Sequence, residues 1–335
     1  MTHSDAEYSA FVADRAADGT MSHTVGPRSA GDAGSGEVLV QVRYSSVNYK
    51  DVLSALGSPG VTKVYPHQPG IDAAGLVIDS HVPAIPTGSE VIVGGEQFGA
   101  RAPGGWGARV RVPARWIVAK PRELSLRQTM AFGTAGFTAG LCVQRVVATV
   151  GRGAGEVLVT GATGGVGSFA VAILGQLGYD VVACTSKSDS AQWLLDLGAK
   201  RIVQPADIAN DAQRPLASAQ WAAVVDAIGG EPLSAAIRAT APGGVVAACG
   251  NAAGADLSLT VLPFILRGVT LAGIDSTQVL GAERSAIWHK LATDWRPQAL
   301  ETMYTTVDVA QLTGVIDQIA QARQRGRVVV QLPDA

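Results

Sequence analysis

Residues 157–171 read VLVTGATGGVGSFAV. β-prone Val157, Leu158 and Val159 run into Gly161, Gly164, Gly165 and Gly167, and Ser168, Phe169, Ala170 and Val171 then resume an apolar, helix-compatible pattern. That is the order strand, tight turn, helix. Glycine is needed where the backbone takes φ > 0 and where a ligand touches the main chain with no Cβ in the way; the helix that follows aims its free N–H groups and positive dipole end at an anion. A pyrophosphate suits that place. Against the pattern G-x-G-x-x-G, residues 162–167 read A-T-G-G-V-G, with Ala162 in the first glycine place and Gly164 and Gly167 in the second and third. In a chain of 40 glycines the motif alone also fits a purely structural turn. Its context favours the ligand.

Outward from the motif, residues 125–255 alternate. Strands are expected at 156–160, 180–184, 222–227 and 244–249, separated by amphipathic helical stretches such as SAQWLLDLGA and PLSAAIRATA. Such alternation predicts a parallel sheet with helices on both faces. Upstream, residues 1–122 hold short β-like runs (YSAFVA, EVLVQVRY, AAGLVI, SEVIV, ARVRVPARWIV) broken by Gly, Pro and Ser, which reads as an all-β unit with SAGDAGSG, 29–36, as a flexible connection. Downstream, 256–335 holds two helical stretches, ERSAIWHKLATDW and VAQLTGVIDQIAQARQR, and a closing strand GRVVVQL, and is expected to return to the first part. The domains are therefore placed at 1–124 with 256–335, and at 125–255. A chain of 335 residues exceeds the ~150 of a one-domain prior, so two domains with an active site between them are expected.

Composition excludes several classes. Apolar residues are 47% and charged ones 16%, which suits a buried α/β protein. A net charge of -2 gives no electrostatic reason for nucleic acid or an anionic membrane. The opening MTHSDAEYSAFVADRAADG contains acids and lacks the apolar core of a signal peptide, and no window reaches the ~20 apolar residues of a membrane span, so a cytoplasmic location is expected. Cys142, Cys184 and Cys249 are odd in number, distant in sequence and set in apolar surroundings, and read as buried inert thiols. His67, His81 and His289 have no metal-like spacing and read as structural.

The end of the second parallel strand selects the cofactor. An NAD site places Asp or Glu there, about 20 residues beyond the glycines, for the ribose 2′-hydroxyl. This chain offers VVACTSKSDS, where Thr185, Ser186, Lys187 and Ser188 supply hydrogen bonds and a positive charge to a 2′-phosphate, so NADPH is favoured over NADH. Asp189 would oppose this unless it lies in the first turn of the next helix, where it is placed here as a cap. Arg201 reads either as a second phosphate contact or as a surface charge.

The whole resembles the medium-chain dehydrogenase/reductase superfamily: a β-rich N-terminal unit, an inserted dinucleotide fold opening with VTGATGGVG, and a final GRVVV strand. Within it, NYKD at 48–51, PGIDAAG at 69–75, GTAGFTA at 133–139, GGVVAACG at 243–250 and LPFILRGVTLAGIDS at 262–276 resemble the zinc-free YhdH/AcuI group of NADPH-dependent acryloyl-CoA reductases, often labelled quinone oxidoreductases. The resemblance implies a GroES-like β-rich catalytic domain plus a Rossmann doubly wound domain, and a homodimer joined at sheet edges near 260–275. It implies cofactor contacts from Tyr49, Thr138, Thr163, Gly164, Gly165, Val166, Lys187, Ser188, Asn251, Ile265 and Ser276, with Ile265 equally readable as a core residue. Arg327 is assigned to cofactor or substrate phosphates, or to a solvent-facing charge.

A catalytic zinc needs three soft or borderline ligands and an open position. The cysteine of the zinc branch is absent from the NYKD segment, Ile71 and Asp72 stand where that branch has its His-Glu pair, and its four-cysteine lobe is missing. Without a Lewis acid the chemistry shifts to an activated C=C or a quinone. The expected reaction is hydride transfer to the β-carbon of an α,β-unsaturated acyl thioester, with Tyr49 donating to the developing enolate and Asn48 adding an amide donor. Tyr49 reads alternatively as interface packing, and Lys50 with Asp51 as an ion pair at a helix start. ARAPGGWGARV replaces the family's His-Trp-Gly-Gly stretch, putting Trp106 in a loop expected to border the substrate cleft. Two other functions remain: a quinone or enone reductase that ignores CoA, and a non-catalytic NADPH-binding relative. A basic pocket for CoA phosphates would discriminate, with Lys50, Lys63, Arg101 and Arg109 as candidates.

Overall fold

The strand that carries the glycine motif, Glu156–Val159, is completely buried at Val157, Leu158 and Val159 and lies inside a six-stranded all-parallel sheet. The computed structural model describes residues 7–208 and 214–333, so the first six residues of the stretch weighed as a leader lie outside it. Across this sheet the strands run Arg201–Val203, Asp180–Cys184, Glu156–Val159, Trp221–Asp226, Thr240–Ala248 and Thr270–Gly273. This is the doubly wound order 3-2-1-4-5-6, whose sense reverses between Glu156–Val159 and Trp221–Asp226. The glycine turn leaves the carboxyl end of Glu156–Val159, at that switch point, where open α/β sheets bind ligands. The six strands fall within one unit of the chain, Ala135–Ser276 with Thr293–Ala299.

The boundary expected at residue 256 moves to 276. The physical reason is that Thr270–Gly273 pairs in parallel with Val245–Ala248 and so completes this sheet. LTVLPFILRGVTLAGI, expected as an apolar edge, divides into a short helix Leu262–Arg267 with Pro263 in its first turn, and the four-residue edge strand.

The other unit is Met1–Thr134, Thr277–Ala292 and Leu300–Ala335. Its seven-stranded sheet places Tyr304–Asp308, Arg327–Gln331, Val38–Val47, Asp72–Ser80, Glu90–Gly94 and Ile117–Ala119 side by side, with Arg109–Val112 also paired to Val38–Val47. Apolar residues alternate along the long strand, and Val38, Val40 and Val42 enter one core with Val91, Val93, Val110, Val112, Leu312, Ile316, Val328 and Val330. A hairpin, Tyr8–Arg15 with Met21–Arg28, joins this unit through Ala10–Gly107 and Ala13–His67 bridges. The connection at 29–36 contains a one-turn 3₁₀ helix, Ala30–Ala33, where Ser29 donates its hydroxyl and its backbone N–H to Asp32.

Trp106 corrects an expectation. Its side chain is completely buried, packs edge-on against Phe11 at 5.2 Å and donates its indole N–H to Ser46 O at 3.1 Å. The displaced tryptophan is core and leaves the substrate surface to other residues. Gly70 fits beneath it at φ +105, where a Cβ would stand 2.7 Å from the indole. Trp106→Ala is expected to cost about 3–5 kcal/mol of folding free energy, read as a fall in the denaturant midpoint.

Candidate functional site

Asp51 and Asp72 are both buried, and the groups around them form one cluster of candidate residues. Asp72 opens the strand Asp72–Ser80. Its Oδ2 accepts from Ser46 Oγ at 2.6 Å, from Asn48 Nδ2 at 2.8 Å and from Thr134 N at 2.8 Å; its Oδ1 accepts from Thr134 Oγ1 at 2.7 Å. Thr134 reaches the carboxylate because the helix Leu126–Thr149 bends at Gly133, where φ is +49. A Cβ there would lie 2.5 Å from Asp72 Oδ2 and 2.8 Å from both Arg327 Nη2 and Ser46 Oγ, so only glycine fits.

Arg327 opens the closing strand but is not solvent-facing, with only 3% of its surface exposed. It donates from Nε to Ala131 O at 3.2 Å, from Nη1 to Val47 O at 2.7 Å and from Nη2 to Ser46 Oγ at 2.7 Å, with Asp72 Oδ2 at 3.9 Å. Its assignment to cofactor or substrate phosphates is therefore corrected: each guanidinium nitrogen is spent on an internal acceptor. Burial pulls this cation below its ordinary pKa, while Asp72 and Asp51 oppose the shift.

Asn48 precedes the helix Tyr49–Ala55. Its amide donates to Asp72 at 2.8 Å and also approaches Asp51 Oδ2 at 3.2 Å and Ser46 Oγ at 3.3 Å. The donor expected for substrate is directed into the protein, so Asn48 positions the helix start. Asp51 caps the same turn by accepting from Asn48 N at 2.8 Å, and its other oxygen accepts from Ile71 N at 2.7 Å. Lys50 is exposed and Asp51 is not, so the proposed Lys50–Asp51 pair gives way to this cap. Tyr49 stands at the first helical position, 46% exposed.

Burial and then the Asp72 charge push the Asp51 carboxyl up to about 7. A carboxyl with a raised folded pKa holds its proton more tightly when folded. Its contribution to stability is therefore present below the unfolded value and is lost as pH rises toward 7. Arg327 faces both carboxylates and Arg284 lies near Asp72, which leaves Asp51 as the group that meets the cost of burial. The unfolding free energy of the protein relative to that of Asp51→Asn, read from denaturant titrations, is expected to fall between pH 5 and 7, by up to ~1.4 kcal/mol per pH unit; equal slopes would contradict this.

The other unit carries its own candidate residues at the glycine turn. Gly161 carries the positive φ, +59, and a Cβ on it would stand 2.7 Å from Ile228 Cγ2. That position lies one residue before the pattern's first glycine, which is why alanine is accepted at 162, where it is buried and donates N–H to Cys184 O at 3.1 Å. At Gly167 a Cβ would stand 2.7 Å from Ala162 Cα, so this glycine sets how closely helix and strand approach. The helix Gly165–Gln176 begins after Gly164; Gly164, Gly165 and Val166 are half-buried and Thr163 is buried. The first N–H groups of this helix lack intrahelical acceptors and are placed for an anion.

Beyond Asp180–Cys184, Lys187 donates its backbone N–H to Thr185 Oγ1 at 3.0 Å, with Lys187 half-buried and Ser186 and Ser188 exposed. Asp189 sits in the one-turn helix Ser188–Ser190, accepting from Ser190 Oγ at 3.1 Å. Burial lowers the Lys187 ammonium pKa and Asp189 partly restores it. Arg201 is corrected. It is held by Glu156 through two bonds of 2.7 and 2.6 Å and lies 5.7 Å from the Trp221 ring, and Glu156 opens its strand, at the sheet end opposite the glycine turn. Thr138 is buried in Leu126–Thr149, Asn251 is exposed after Thr240–Ala248, and Ser276 is half-buried. Ile265 is 69% exposed, which removes its reading as core.

The residues that sequence reasoning missed are Ser46, Gly133 and Thr134, which lie within or beside quoted blocks; a polar run SSVN next to NYKD was the available signal. Among the described residues no three His, Cys, Asp or Glu side chains are grouped to hold a metal. Asp72 already accepts four hydrogen bonds from protein groups. These donors do not fit a zinc site.

Two known families match this chain. Residues 34–122 match the family described as "Alcohol dehydrogenase GroES-like domain", and residues 165–293 that described as "Zinc-binding dehydrogenase". The acrylyl-CoA reductase AcuI of Ruegeria pomeroyi is 44% identical, over 88% of this chain and 90% of that one. The chain belongs to the medium-chain dehydrogenase/reductase superfamily. It is an oxidoreductase of that superfamily with a GroES-like unit and a Rossmann-like parallel sheet. The putative quinone oxidoreductase YhfP of Bacillus subtilis is 39% identical over 97% of this chain and 99% of that one; its crystal structure, with NAD bound, superposes with a TM-score of 0.94, covering 98% of this chain and all of that chain. Escherichia coli YhdH with bound NADPH gives a TM-score of 0.93 at 36% identity, covering 97% of this chain and all of that chain.

Proposed function

We propose that the protein is an NADPH-dependent, zinc-independent reductase of an activated C=C, acting on acryloyl-CoA or a related 2-enoyl thioester. The observation that supports this is the Asp72 carboxylate, which is saturated by four donors of the protein itself. Polarising a simple alcohol or carbonyl then has no metal donor set here, and a substrate whose own thioester delocalises the incoming charge fits the groups present. The identity to AcuI supports the same substrate class.

NADPH, when bound, supplies the hydride. Gly164, Gly165, Val166 and Thr163 at the helix start would hold its pyrophosphate, and Lys187 with Ser188 its 2′-phosphate; Tyr49, Thr138, Asn251, Ile265 and Ser276 would line its nicotinamide side. That hydride would add to the substrate β-carbon, the C=C electron pair would shift to give an enolate on the thioester oxygen, and the enolate would then take a proton from water at the α-carbon. The Tyr49 hydroxyl, exposed at a helix start that Asn48 and Asp51 fix in place, donates to the enolate oxygen. A homodimer through the edge strand Thr270–Gly273 is supported by the exposed Val261, Ile265 and Leu266 beside it. No described helix is long and apolar enough to cross a membrane.

The test is NADPH oxidation with acryloyl-CoA, a small quinone, and NADH as control. A kcat/KM of about 10⁴ M⁻¹s⁻¹ or more with the thioester, falling about 10²-fold in kcat for Tyr49→Phe, is the expected outcome. Turnover of the quinone alone would assign the chain to the activity named for YhfP, and NADPH binding without any turnover would make it a binding protein.

A further inference from the structure

Of the four cations considered for CoA phosphates, the structure separates two. Arg109 is buried within its strand, and Lys63, although exposed, does not line the cavity that holds the other two. Lys50 and Arg101 line one half-open cavity of about 400 Å³ together with Gly60, Val61, Glu96, Gln97, Ala100 and Gln278. The walls of this cavity are fixed. Thr62 donates its hydroxyl to Ala100 O at 2.8 Å and meets Ser54 Oγ at 2.6 Å, which ties the loop after the helix Tyr49–Ala55 to the turn that carries Arg101. Glu96 N donates to Thr277 O at 3.1 Å and holds the wall beside Gln278.

The charge of the lining is unbalanced. Glu96 is its one carboxylate, and Arg115 holds both its oxygens, at 2.9 and 3.0 Å, from outside the lining. Lys50 and Arg101 are exposed and form no ion pair among the described residues, so the space between them favours an anion. Two cations on separate walls, each able to take a phosphate oxygen, suit a ligand carrying more than one phosphate. Lys50 directly follows Tyr49, the residue assigned to the reacting thioester.

We propose that this cavity is the specificity site for the phosphorylated nucleotide arm of CoA, with Lys50 and Arg101 as its phosphate ligands. The assignment rests on the thioester reading above, and it makes CoA, in preference to a short thioester, the group the enzyme selects.

The experiment titrates free CoA, pantetheine and inorganic phosphate into the NADPH-loaded protein by calorimetry, for the wild type, Lys50→Gln/Arg101→Gln and Lys50→Arg/Arg101→Lys. Acryloyl-CoA and S-acryloyl-N-acetylcysteamine, which lacks phosphates, are then compared as substrates. The double glutamine variant is expected to bind CoA at least about tenfold more weakly and to lose the preference for acryloyl-CoA over the short thioester by a similar factor. The charge-preserving variant keeps both, and added salt weakens CoA binding to the wild type more than to the glutamine variant. The inference is overturned if the wild type does not bind CoA, if inorganic phosphate binds as tightly as CoA, or if the glutamine variant loses CoA and pantetheine equally. CoA binding that depends on both cations without acryloyl-CoA turnover would keep the site and remove the reductase reading; turnover with a preference indifferent to both cations would do the reverse.

Discussion

The first unit depends on the Asp72 carboxylate. Four donors from three residues, Ser46, Asn48 and Thr134, converge on it, and Arg327 reaches it through the hydroxyl of Ser46. A buried carboxylate is tolerated only when its lone pairs are satisfied and its charge is offset, and here both conditions are met by groups far apart in sequence. The long strand supplies Ser46, the closing strand supplies Arg327, and the bend at Gly133 supplies Thr134. Removing one partner leaves the others as buried unpaired polar groups, which costs more than the bond itself is worth.

Asp51 follows from the same balance. It lies beside Asp72 with Arg327 facing both, and it completes the turn that presents Tyr49. The carboxyl with the raised pKa is thus the one whose task, accepting from Asn48 N and Ile71 N, positions the candidate catalytic hydroxyl. Asn48 belongs to this machinery as an orienting group. In the second unit the division of labour is simpler: Gly161 makes the turn, Gly167 sets the packing, and the helix between supplies N–H groups at the switch point of the sheet.

The alternating section was legible because each strand is short, apolar and followed by an amphipathic helix, and its four expected strands all form. What escaped were the three-residue strand Arg201–Val203 and the last strand, Thr270–Gly273: both are too short to carry a period, and the PFILR before the latter looks β-prone yet winds into a turn of helix. The glycine turn was readable because local spacing defines it. Arg201 and Arg327 were misplaced because a charge shows its type in sequence but not its partner; Glu156 lies 45 residues from Arg201, and Ser46 lies 281 residues from Arg327. Trp106 was misread for a related reason, since a tryptophan in a glycine-rich loop gives no sign of which face of the loop it takes.

The proposed reduction needs no zinc, and the Asp72–Arg327 cluster is built of protein groups alone. The direct measurement is acryloyl-CoA-dependent NADPH oxidation after exhaustive treatment with a zinc chelator, with metal content determined on the same sample. The account predicts an unchanged rate at a zinc content far below one per chain. Loss of activity with the chelator, and its return with added zinc, would contradict it.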